Sequence, residues 1–414
     1  MIRLALNIVC LMWPIVGFVP WVQSEGLPLR APLAGSRTVI HHPTPRLLDG
    51  FGLSMSQHHG EVVVGAPNAM NQGRETGLTY LFDEQGHFVH SFELPNPVSG
   101  ALFGQAVALS PHNLIVGAPH GRDALNTQTG VVYFFNRQSK KLRLTLSNPH
   151  PSSGVFGHTL AVGEGNVFVG DPQASTATLS YTGAVYAFDE ASGILHQTFR
   201  PKLVKPARPT QFGQAVSVVG HHVFIAAPLG GIDGSEAGMV YQFDVRTGNL
   251  VRTFVPPLRM RSLFFGWSIA ANTDVIVIGA FGFQGTFREE GIAYVYHIQS
   301  GKLLQTFANP SPTERARFGT SVVLLPEAIV VSAPGDRVQE NGKIKGGVVY
   351  MFHPDSGVLL KTLQEPTSMT GASDMFGHAL FADGQTLLVG APFGGIGAEL
   401  DAGLVYQYHS QVSQ

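Results

Sequence analysis

Cysteine is nearly missing from this chain: the one present is Cys10. Disulfides, a thiolate metal site and a cysteine nucleophile are therefore excluded beyond that point. Charge is sparse too. Asp, Glu, Lys and Arg make up 13% of the 414 residues and sum to −2, so no global basic surface invites nucleic acid. Apolar residues reach 44%, which excludes a disordered chain. Catalytic signatures are missing as well. There is no Gly-x-Ser-x-Gly elbow, no Gly-rich phosphate loop with a following lysine, and no His-Glu-x-x-His. Sialidase-type Asp boxes and a Trp-Asp repeat are also absent.

Long apolar runs are confined to the start. Leu4 to Val22 is almost wholly apolar behind Met1-Ile2-Arg3, and Val22-Gln23-Ser24 offers a small residue for cleavage. This predicts a signal peptide over 1–24 and a short linker over 25–35. The alternative is an uncleaved anchor, which Pro14, Gly17 and Pro20 disfavour as a spanning helix. No second apolar stretch follows, so no membrane span is expected after cleavage. The protein is expected to be secreted, periplasmic or on the cell surface. Bulky Ile8-Val9 ahead of Cys10 argues against lipidation there.

Glycine (49) and proline (27) are plentiful, which favours turns and short strands. They recur in register. Phe-Gly opens a repeat at Phe51, Phe103, Phe156, Phe212, Phe265, Phe318 and Phe376, at separations of 52, 53, 56, 53, 53 and 58. Always 14 residues later a second motif begins: Gly65-Ala66-Pro67, Gly117-Ala118-Pro119, Gly170-Asp171-Pro172, Ala226-Ala227-Pro228, Gly279-Ala280-Phe281, Ser332-Ala333-Pro334 and Gly390-Ala391-Pro392. A fixed offset requires a rigid segment between. A third motif pairs glycine with tyrosine three residues on, from Gly77/Tyr80 to Gly403/Tyr406. A fourth segment ends near Thr-Phe, as at Thr253-Phe254.

Each repeat thus reads as four short strands, and four-stranded units repeated at about 50 residues are propeller blades. The fold expected is all-β: a seven-bladed β-propeller of four-stranded antiparallel blades over 36–414. Small residues suit inner strands that converge on an axis. Phenylalanine at the start of strand one is expected to fill the wedge between blades. Proline is expected to stop pairing at the end of strand two. The last repeat lacks a fourth strand. Thr38-Val39-Ile40-His41-His42-Pro43 resembles the fourth segment, and Ile40 precedes Phe51 by the 11 residues that separate Phe307 from Phe318. The N-terminal strand is therefore expected to close the last blade and remove open edges.

These motifs resemble those of the FG-GAP repeat proteins, which include the propeller of integrin α chains and many bacterial secreted proteins. The resemblance covers Ser36 to His409 and implies the propeller fold far more than any one function. It also implies ligand binding on the face where the strand 2–3 and inter-blade loops emerge. Those loops are the long ones here, as in Asn68 to Thr76 and Pro201 to Gln211, whereas the other turns are short. Calcium loops of the integrin type imply several carboxylates between strands one and two. Ser56-Gln57-His58-His59-Gly60, Gly163-Glu164-Gly165-Asn166 and Ala382-Asp383-Gly384-Gln385 each offer at most one. No calcium site and no other cofactor is expected.

Candidate ligand contacts lie on the long-loop face. Lys202, Lys205 and Arg208 lead into blade four, Arg259 and Arg261 into blade five, and Arg315 and Arg317 into blade six beside Glu314. Clustered, they make a positive rim for an anionic ligand; scattered, they are solvated charges. Blade five departs from Gly-Ala-Pro and carries Phe281, Phe283 and Phe287, either as an apolar contact surface or with Phe281 plugging the space of the missing proline. Trp267 is expected near the central channel or between blades, as core. His158 and His378 follow Phe-Gly and could face the axis, but adjacent pairs such as His221-His222 point to opposite faces and rarely share a metal. The expected function is a non-catalytic binding platform for a protein or anionic glycan. The alternative is a carbohydrate-active enzyme using carboxylates among Glu75, Asp123, Asp336, Glu399 and Asp401.

Overall fold

A computed structural model describes residues 37–150, 154–176, 181–201, 209–231, 235–340, 343–365, 374–395 and 402–409. The signal peptide and linker, Lys202, Lys205, Arg208, Glu399 and Asp401 lie outside these.

The described strands form seven four-stranded antiparallel sheets and one two-stranded ribbon, Met70–Asn71 with Arg74–Glu75. The seven innermost strands are Ser54–His58, Ala106–Leu109, Thr159–Gly163, Val216–Val219, Ser268–Ala271, Val322–Leu325 and Ala379–Asp383. Each touches the next, and the last touches the first, so the sheets stand as blades around an axis. The chain is a seven-bladed β-propeller. Its last blade takes its outer strand from the N-terminus: Arg37–His41 pairs antiparallel with Leu404–His409, from Arg37 opposite Tyr408 to His41 opposite Leu404.

The core lies between blades rather than within one. Among the described residues there are seven apolar clusters, and each joins the facing surfaces of two adjacent blades. Second strands such as Val62-Val63-Val64 are covered on both faces, which is why they read as unbroken β-branched runs. Outer strands keep only one inward side chain, such as Phe254 in Leu250–Phe254. Full burial of each such side chain contributes about 1.5–3 kcal/mol.

The repeated motifs are the parts that one blade presents to the next. The third-motif glycine lies against the following blade's phenylalanine in all seven cases, so a Cβ on Gly291 would overlap the carbonyl oxygen of Phe318, and one on Gly403 that of Phe51. These glycines also have positive φ, +83° at Gly291, which disfavours any side chain. The phenylalanine amide bonds back across the same seam, as from Phe103 N–H to Thr76 O at 3.0 Å and from Phe51 N–H to Ala402 O at 3.3 Å. Within its own blade each phenylalanine ring meets the strand-three tyrosine, for example Phe265 and Tyr294 at 5.7 Å.

Proline does not end pairing everywhere. In blade six the second strand runs on through Pro334 as Ala328–Glu340, facing Lys343–Phe352. The register shifts between Ala333 and Arg337, and pairing resumes at Arg337 opposite Gly346. The bulge places the prolyl nitrogen where no ladder bond is needed.

Candidate functional site

Strands one and three run towards one face and strands two and four towards the other, so the 2–3 and inter-blade loops emerge together. At the centre of that face the inner strands open into an axial channel of about 820 Å³. A repeated turn shapes its mouth. The residue after each Phe-Gly donates its N–H to the carbonyl three residues back, as from Gln105 to Leu102 and from Trp267 to Phe264, both at 3.0 Å. In six of the seven blades this turn has left-handed backbone just before the phenylalanine, at Gly50, Leu102, Gln211, Phe264, Arg317 and Met375. It delivers Leu53, Gln105, His158, Gln214 and Trp267 to the channel wall.

Most hydroxyls further down the channel are committed to neighbouring blades. Ser54 Oγ donates to Gly104 O at 2.7 Å, Thr159 Oγ1 to Gly213 O at 3.1 Å, and Ser268 Oγ to Gly319 O at 2.9 Å. The mouth groups differ. Among the described residues, the side chains of Gln105, His158, Gln214 and Trp267 make no hydrogen bond, and all four are half-buried. Burial holds the His158 imidazole below its usual range, and the nearby His120 pushes the same way. Asp383, at the far end of its strand, is the one carboxylate among the described channel residues.

Blade five builds an aromatic corner beside this mouth. Phe281 stacks on Phe264 at 4.9 Å and 8°, and meets the edge of Trp267 at 4.8 Å and 81°. The Arg317 guanidinium lies 5.8 Å from the Phe281 ring centre and donates from Nε to Glu289 Oε2 at 3.1 Å. Arg317 also adds to burial in holding His378 below its usual range. Phe281, at the position proline takes in the other blades, thus packs against Trp267, which stands at the mouth. Trp267 lines the channel. His158 does too, whereas His378 is set beside it.

The other candidates disperse. Phe283 packs on the core between blades four and five, while Phe287 is 38% exposed at the loop end. Arg261 donates to Glu236 at 3.1 Å. Arg259 has a partner of its own. Arg315 is exposed and forms no ion pair among the described residues. The carboxylates also separate. Glu75 is exposed in the small ribbon, and Asp123 accepts from Leu125 and Thr127 in its own turn. Asp336 is buried, receiving Asn309 Nδ2 at 3.0 Å, Thr313 Oγ1 at 2.7 Å and Tyr350 Oη at 2.9 Å. Its role is to tie strand ends together.

Human integrin alpha-11 is 25% identical over 213 residues, covering 44% of this chain. The propeller is integrin-alpha-like. The matched region spans only 17% of integrin alpha-11. No family model matches the chain. Within this integrin-like ring, sequence reasoning missed Gln105, Gln214 and Phe264. The signal available was position: each stands next to a Phe-Gly pair in register.

Proposed function

We propose that the protein is a rigid, non-catalytic, extracytoplasmic binding platform for a protein or glycan, with contacts on the face of the long loops. The observation that carries this reading is the convergence of 2–3 and inter-blade loops around one channel mouth on a closed ring. Function concentrates on such loops over a rigid scaffold. The similarity to an integrin propeller supports ligand binding in general. Among the described residues, Glu75, Asp123 and Asp336 are dispersed rather than paired, and that arrangement favours binding over glycoside cleavage, which needs two facing carboxylates about 5–9.5 Å apart. No cofactor enters the reading.

The test is a screen of the purified protein against arrays of surface proteins and glycans, with turnover read on the same plates. Phe287→Ala with Arg315→Glu alters the loop face; Arg246→Glu alters the opposite face. Binding weakened only by the first pair, without turnover, supports the platform. Turnover, or loss only through Arg246→Glu, overturns it.

A further inference from the structure

The arc of four free side chains at the channel mouth has a chemistry of its own. Gln105, His158, Gln214 and Trp267 come from four consecutive blades, two through five, and all line one concavity. Two primary amides and an uncharged imidazole each offer both a donor and an acceptor, and the indole adds a donor and a flat apolar face. No other mouth position supplies an indole or phenyl face: the remaining three residues are Leu53, Thr320 and His378. Phe281 and Phe264 buttress the indole from behind, so its orientation is fixed by packing rather than by a hydrogen bond. Phe281 and Arg317 are tied to each other and to Glu289, which leaves the corner close to neutral.

A ligand matching this arc has one apolar face, a dense edge of groups that both donate and accept, and no net charge. Those are the properties of a pyranose ring. A carboxylate would find no unpaired cation in the arc, and an aliphatic side chain would leave four polar groups unsatisfied, at a cost of about 1–3 kcal/mol for each one desolvated. A concave site with a few convergent polar groups is also the usual form of a small-ligand site. We propose that the channel mouth binds one neutral sugar residue of a glycan, stacked on Trp267 and hydrogen-bonded by Gln105, His158 and Gln214. This rests on the platform reading and narrows it to one ligand class and one place on the face.

The sequence supplies a probe. Its three tryptophans are Trp13, Trp21 and Trp267. In the full chain carrying Trp13→Phe and Trp21→Phe, tryptophan fluorescence reports the mouth alone. Neutral trisaccharides of glucose, galactose, mannose and N-acetylglucosamine are titrated into the millimolar range. At least one is expected to change Trp267 emission saturably. In calorimetry, Gln214→Ala and Gln105→Ala should weaken that saccharide severalfold, and Trp267→Ala at least tenfold, with thermal midpoints of the two glutamine variants unchanged. Trp267→Phe, which keeps a ring, should lose less than Trp267→Ala. Unchanged emission with every saccharide overturns the inference. So does a saccharide that binds all four variants equally. If a protein ligand instead shifts Trp267 emission while saccharides do not, the sugar site is wrong and the platform stands. Should neither class bind the loop face, both fall together.

Discussion

Blades three and five both break the Gly-Ala-Pro motif, and they break it in opposite directions. In blade three aspartate replaces alanine. Asp171 is fully buried and receives Asn148 Nδ2 at 2.9 Å and the Val155 N–H at 2.8 Å. In blade five phenylalanine replaces proline, and Phe281 packs against Trp267 of the channel mouth. The second position of the motif points into the seam between blades, while the third stands at the loop face. A departure at the former changes stability; a departure at the latter changes what the face can touch.

That contrast holds only if the frame beneath both blades is the same. Gly183 and Gly291 test it, since each lies at positive φ against the next blade's phenylalanine, Phe212 or Phe318. Gly183→Ala and Gly291→Ala should each cost about 3 kcal/mol or more, through left-handed strain and backbone overlap together. Thermal unfolding should show similar drops. A mild effect in one blade alone would mean that its seam can relax, and the two departures could no longer be compared on one scale.

Asp171 gives the next largest effect. Asp171→Ala leaves the Val155 N–H buried without its acceptor and takes from the Asn148 amide one of its two, the other being Thr129 O, for an expected loss of about 2–4 kcal/mol. Acidity sharpens this. Burial pushes the Asp171 carboxyl from an ordinary 3.8 up to about 6, against hydrogen bonds that favour the ion. Below the lower value the group is protonated whether folded or not. Between the two, the unfolded chain releases a proton that the folded chain retains, so stability falls as pH rises through this window. The melting temperature of wild type relative to Asp171→Asn should therefore decline from about pH 4 to pH 6 and level off above. A constant difference would place the carboxylate in a better-compensated site than its burial implies.

How much of this was legible beforehand follows from the same physics. Contacts between blades demand specific residues, glycine where backbones touch and phenylalanine where the wedge must be filled. Those demands repeat seven times, so the fold and its closure by Arg37–His41 could be read from register alone. The mouth makes no such demand. Leu53, Gln105, His158, Gln214, Trp267, Thr320 and His378 share a position but no one residue type, so no seven-fold motif marks it. Asp336 was open to a catalytic reading because its partners Asn309 and Thr313 lie more than twenty residues away in sequence. The extension beyond Pro334 is not legible in the sequence because a bulge, rather than the proline, decides where pairing resumes.

Phe281 should be cheaper to change than Asp171. Phe281→Ala removes ring contacts with Phe264 and Trp267 from a half-buried position, and a loss of about 1–2 kcal/mol is expected, below the range for a fully buried ring. Phe281→Pro restores the common motif and should recover part of that loss. Tryptophan emission in the single-tryptophan background should move in both variants, because Trp267 loses its neighbour. If Phe281→Ala proved as damaging as Asp171→Ala, the third motif position would belong to the seam after all.

Arg317 marks the small end of the scale. Its side chain is 43% exposed, and its partner Glu289 is 19% exposed. Ion pairs this open contribute about 0–1 kcal/mol. Contact with the Phe281 face adds a fraction of a kilocalorie, since cation–π pairs at exposed sites are worth about 0.5–1 kcal/mol. Arg317→Ala should therefore leave the melting temperature nearly unchanged, and raised salt should shrink even that difference. Arg317→Lys separates the two contributions, because it keeps the charge near Glu289 and gives up the planar group over the ring. The informative outcome is a pair of variants indistinguishable in stability while Arg317→Ala alone alters Trp267 emission. The corner would then act on the mouth without supporting the ring, which is the division of labour that separates blade five from blade three. A stability loss comparable to that of Asp171→Ala would erase the division.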